Sequence, residues 1–149
     1  MRDQAYRRSM QRILEVREAQ AQAAEMAAAR EMARCAELKA EHGRREARLA
    51  EETGAWSAMM AESCLDPYRA AGRLAAVEQA RAGVRRAETD FAAAEVETAR
   101  RRTAWSEAQA RSALVETLLR QVVHRTAKLA EAAALADTAD RAARRKKRP

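Results

Sequence analysis

Ala80, Ala87, Ala94, Arg101, Ala108, Val115, Val122, Leu129 and Ala136 recur every seven residues without a break. Val77, Val84, Phe91, Thr98, Trp105, Ser112, Leu119, Thr126 and Ala133 keep the same beat three residues earlier. Two apolar-biased rows at this spacing, with charged residues between them, describe one long helix carrying a single seam for a partner helix. The first part of the chain reads as that partner, with a weaker seam. Tyr6, Met10 and Ile13 open it, and alanines take over from Ala19 to Ala33. The seam then continues as Cys35, Lys39, His42, Glu46, Leu49, Thr53, Trp56 and Met60. Several of these are polar, so loose packing or a change of register is expected here. Gly43 and Gly54 each cost roughly 1 kcal/mol relative to alanine in a helix and are candidate kinks.

The clearest break is Ser63-Cys64-Leu65-Asp66-Pro67. Asp66 is a good N-cap, whose carboxylate can accept from the first free amides of a helix. Pro67 suits the first helical position, where its missing N–H costs nothing. Without a glycine-rich linker, the two helices are expected to fold back tightly. The predicted fold is all-α, a long antiparallel two-helix coiled coil in a single hairpin over 1–140. Helix one spans about 3–61, the bend about 62–66 and helix two about 67–143, followed by a basic tail at 141–149. Helix one would reach roughly 85–90 Å and helix two roughly 110 Å. The second helix therefore outlasts the first, and the two termini are expected near one end.

Composition supports a coiled coil over a globule. Apolar residues make up 48% of the 149 positions, but they are mostly alanine, and aromatic residues only 3%. A close-packed globular interior needs bulkier side chains than these. Full disorder is the competing reading of an aromatic-poor, charged chain, but a disordered chain has no reason to keep an unbroken heptad. Of the net charge of +7, six units sit on Arg141, Arg144, Arg145, Lys146, Lys147 and Arg148, leaving the first 140 residues at +1. Basicity concentrated in a tail argues against a nucleic-acid groove along the helices. Such a tail suits an acidic protein, anionic lipid or nucleic acid.

Cys35 is expected far from the bend and Cys64 at it, so a disulfide between them is not expected and reduced thiols fit a cytoplasmic protein. The first twenty residues hold no apolar core of signal-peptide length. No apolar run approaches the ~18–20 residues of a membrane span.

Catalytic chemistry finds no constellation. His42 and His124 lack neighbours at zinc-ligand spacing, so neither metal nor cofactor is expected. The four glycines are scattered, without a phosphate loop. Carboxylates fall on helix faces beside arginines, as in Glu97–Arg101 and Glu107–Arg111, pairs that are worth a few tenths of a kcal/mol. Arg101 in the seam row is expected to reach back to solvent, and Trp105 to pack on the seam. No enzymatic activity is expected.

Three stretches carry a family resemblance: RLAAVEQARA from Arg73, WSEAQARSALVETLLR from Trp105, and ADRAARRKKRP from Ala139. Together they make the second helix resemble the flagellar export protein FliJ and its type III secretion counterparts, the YscO group. The resemblance implies a central stalk of the hexameric export ATPase, entering the ring by its terminal end and promoting its assembly and activity. It also implies contact with the cytoplasmic domain of the export gate and with export chaperones, and association with the inner membrane only through those partners. Matched through LAAVEQA, the gate contact would fall on Arg73, Val77, Ala80 and Val84. The tip entering the ring would carry Tyr6, Arg7, Arg8, Met10, Ile13, Leu135, Arg141, Arg144 and Arg145. Nucleic acid is not an expected partner in this reading. The alternative is a generic coiled-coil scaffold or adaptor whose basic tail binds nucleic acid or an acidic protein.

Overall fold

The computed structural model describes residues 2–62, 64 and 66–146; side chains of residues 2, 3, 140 and 142–146 are outside the description. It is all-α. Helix α1 runs Arg2–Met60 and helix α2 runs Pro67–Lys146, and the two pack against each other as a helical hairpin. The helix-forming bias of Ala, Glu, Arg and Leu accounts for both. The bend is as short as its chemistry predicts. Asp66 Oδ1 accepts from the Tyr68 amide at 2.9 Å, capping α2, and Pro67 occupies the first helical position. At the other side of the bend, Ala61 and Glu62 donate to Ala58 and Met59 in a tightened last turn.

Two of the expectations change. α2 continues to Lys146, so the first six residues of the basic segment extend the helix. α1 passes through Gly43 and Gly54 without interruption, and a Cβ at either would meet nothing within 4 Å.

The chain forms two compact units: Ala24–Ala104, which contains the bend, and Met1–Ala23 with Trp105–Pro149. In the bend unit the helices run antiparallel. Arg73 Nη1 meets Glu52 Oε2 at 3.2 Å, and the Thr98 hydroxyl donates to the Glu31 carbonyl at 3.3 Å. All six buried residues among those described lie here: Ala28, Met59, Val77, Ala87, Ala94 and Thr98.

On α2 the seam follows the two predicted rows. Val77, Ala80, Val84, Ala87, Phe91, Ala94 and Thr98 are buried or half-buried. Arg101 leaves the seam and donates to Glu97 at 2.8 Å. On α1 one predicted row holds, at Cys35, His42, Leu49 and Trp56, all half-buried. The other row is displaced by one residue. Lys39, Glu46, Thr53 and Met60 are exposed, and the covered side chains are Leu38, Glu52 and Met59. The spacing from Cys35 is therefore three then four, not four then three. Burying Leu38 and Met59 in place of Lys39 and Thr53 is the physical reason. The same phase places Arg45 in the row, where it escapes sideways to Glu41.

Candidate partner-binding surfaces

The end unit is covered differently. Met10, Leu14, Arg17 and Ala21 on α1 and Trp105, Ala108, Ser112, Val115, Leu119, Val122 and Thr126 on α2 continue the heptad, but every one is only half-buried. From residue 127 to 139 nothing is covered. α1 has 59 residues against 80 in α2, so the last part of α2 has no stretch of α1 to oppose it. Leu129 keeps its place in the seam row and is 60% exposed. Trp105 is on the seam as expected, with its indole Nε1 buried and without a hydrogen-bond partner, an unfavourable arrangement in a protein interior.

Of the expected tip residues, Tyr6, Arg7, Arg8, Ile13 and Arg141 are exposed, Leu135 is 70% exposed and Met10 is half-buried. All belong to the end unit. Arg141 makes a loose ion pair with Asp137 at 3.6 Å. Arg144 and Arg145 lie in α2, but their side chains are outside the described residues. Val16, Leu114 and Leu118, which stand outside the predicted tip residues, are exposed in this same unit. In heptad phase Ile13 and Leu118 immediately precede the seam residues Leu14 and Leu119. Val16 lies one turn from Ile13, and Leu114 one turn from Leu118. In an antiparallel pair these positions share one flank. Large apolar residues outside the two rows are the signal that marks them.

The four expected gate positions lie in the bend unit. Val77 is 3% exposed, and Ala80 and Val84 are half-buried against α1. Only Arg73 offers an exposed side chain, already paired with Glu52.

The bend unit also carries charge. Glu41 accepts from Arg44 at 2.8 Å and from Arg45 at 2.8 Å, and the Arg44 bond, followed by that of Arg45, holds its carboxyl below the ordinary carboxylate range. His42 stacks on Phe91 with ring centroids 6.4 Å apart, and its Nδ1 lies 3.6 Å from Glu46. Among the described residues no group of three or more His, Cys, Asp or Glu could hold a metal ion, and no helix is long and apolar enough to cross a membrane. Cys35 is half-buried and Cys64 exposed, both as free thiols. No family model, curated protein or solved structure matches the chain.

Proposed function

We propose that this chain is a non-enzymatic coiled-coil component of a flagellar or type III export apparatus, serving as the central stalk of its hexameric ATPase. On this reading it promotes assembly and activity of the ring, contacts the export gate and export chaperones, and works in the cytoplasm, meeting the inner membrane only through those partners.

One observation carries the reading. Among the described residues burial is confined to Ala24–Ala104, and in the unit holding both chain ends Ile13, Val16, Leu114 and Leu118 are exposed on one flank, with Leu129 and Leu135 exposed further along α2. Clustered exposed aliphatic side chains on a structure without a closed core are what a partner-filled surface looks like. Arg7, Arg8, Arg12 and Arg141 are exposed in the same unit, and such cations favour an acidic-lined opening and speed encounter with it. A ring pore that encloses a helix pair supplies the missing cover on several sides at once.

The test is stimulation of the cognate ATPase. Deletion of 141–149 combined with Arg7→Ala and Arg8→Ala is expected to abolish stimulation by the purified chain. Undiminished stimulation would remove the end unit from the mechanism. Salt-sensitive DNA binding without ATPase binding would instead favour a scaffold with a nucleic-acid-binding tail.

A further inference from the structure

A second surface lies in the bend unit. A groove of about 330 Å³ opens on one flank, between Arg44, Arg45 and Arg48 of α1 and Ala76, Ala80 and Gly83 of α2. The α2 residues are four and then three apart, so they form one ridge of a helix face. All three are small; the Arg45 guanidinium lies over Gly83 and Gln79 stands beside the ridge, so it is over Ala76 and Ala80 that a third helix could settle closer than it could over leucine or arginine.

The opposite wall is cationic and held in place. Arg44 donates to Glu41 Oε2 through both Nε and Nη2, at 3.0 and 2.8 Å, and Arg45 Nε donates to Glu41 Oε1 at 2.8 Å. One carboxylate thus orients two guanidinium forks without neutralising both. Arg48 makes no ion pair among the described residues. The wall offers three cations to one anion. Arg44 and Arg48 are one helical turn apart, about 6 Å along the axis, the spacing of two carboxylates at i and i+4 on a facing helix.

We infer that this groove docks an acidic helix of a partner protein. Its carboxylates, one turn apart, face Arg44 and Arg48, and its narrow face lies along Ala76 and Ala80. Guanidinium forks recognise carboxylates in a bidentate manner, so the wall selects for charge and for spacing. Nucleic acid fits less well. The cations form one wall only, and the other carries no charge, being made of Ala76, Gln79, Ala80 and Gly83. The inference is independent of the ATPase reading, because it concerns the bend unit; of the four positions that the family resemblance assigns to the gate, only Ala80 lines the groove.

The test uses the full chain and a fluorescein-labelled, alanine-based helical peptide with glutamates four residues apart. Fluorescence anisotropy at about 0.15 M salt reads the affinity. Saturable binding is expected. Arg48→Glu is expected to weaken it about tenfold, since attraction is replaced by repulsion, and Arg44→Ala to weaken it several-fold. Arg81→Glu, which makes the same charge change on the other flank of α2, is expected to leave it within about twofold. Circular dichroism of each variant checks that helix content is kept. The inference is overturned if the peptide does not bind, if Arg81→Glu weakens it as much as Arg48→Glu, or if a lysine-for-glutamate peptide binds equally. A short DNA duplex that binds more tightly, and loses affinity in the same two groove variants, would assign the groove to nucleic acid.

Discussion

The guanidinium of Arg45 occupies the space that a side chain at Gly83 would need: a Cβ there would lie 3.0 Å from Arg45 Nη1. Arg45 stands in the seam row of α1, where a buried cation would be costly. The missing side chain on α2 gives it a way out to Glu41, 2.8 Å away. The three residues therefore act together: the glycine opens the path, the arginine takes it, and the carboxylate receives it.

The glycines should respond differently to alanine. At Gly43 and Gly54 a Cβ meets open space, so Gly43→Ala and Gly54→Ala are each expected to stabilise the hairpin by about 1 kcal/mol through helix propensity alone. At Gly83 the same gain is partly offset by displacement of the Arg45 guanidinium. Thermal unfolding followed by circular dichroism should rank Gly83→Ala below the other two.

The register of α1 is testable with adjacent methionines. Met59 is 8% exposed and Met60 50%. Met59→Ala is expected to destabilise by about 2 kcal/mol, the low end for a buried methionine, and Met60→Ala by less than about 0.5 kcal/mol. Urea titration measures both. Equal effects would return the seam to the row through Lys39, Thr53 and Met60.

Glu31 carries a carboxylate oxygen, Oε2, that is buried without a hydrogen bond, with Arg34 Nη1 3.9 Å away. Its backbone carbonyl, not its side chain, receives the Thr98 hydroxyl. Replacing an incompletely paired polar group in a seam position by an aliphatic one removes a desolvation cost. Glu31→Leu is therefore expected to raise the melting temperature and to keep the Thr98 contact. A fall would mean that the carboxylate stabilises the seam after all.

Glu41 sets a pH dependence of definite sign. Its folded-state carboxyl lies below the ordinary value because first Arg44 and then Arg45 hydrogen-bond the ionised form. A group of this kind contributes stability that is fully present above the unfolded-state pKa and is lost as pH falls through the lower folded-state value. Stability should fall on acidification below the ordinary glutamate range of about 4.3. Glu41→Gln should flatten that part of the profile, measured by thermal unfolding across pH.

The second helix was legible because its rows carry bulky markers at regular intervals: Val77, Val84, Phe91, Trp105, Val115, Leu119 and Val122 admit a single phase. The bend was legible from two residues, Asp66 and Pro67, whose preferences are local. The first helix was only half legible. Alanine surrounds it on every side, and its seam contains Glu31, Arg45 and Glu52, so hydrophobicity does not choose between Leu38 and Lys39 until α2 is packed against it. The arginine groove was not legible at all. Arg44 and Arg48 are ordinary surface residues in the sequence, and only the pairing of the helices sets them opposite Ala76, Ala80 and Gly83. The exposed end-unit residues Val16, Leu114 and Leu118 could have been found as large apolar side chains outside both rows.

Amide hydrogen exchange, read with and without the hexameric export ATPase, tests the account most directly. In the free chain, amides of residues 24–104 should be the better protected, and those of 2–23 and 105–139 should exchange faster, because none of the described side chains of the end unit is buried. Adding the ATPase should slow exchange in 2–23 and 105–139 and leave 24–104 nearly unchanged. Uniform protection in the free chain, or an end unit whose exchange the ATPase does not alter, would contradict it.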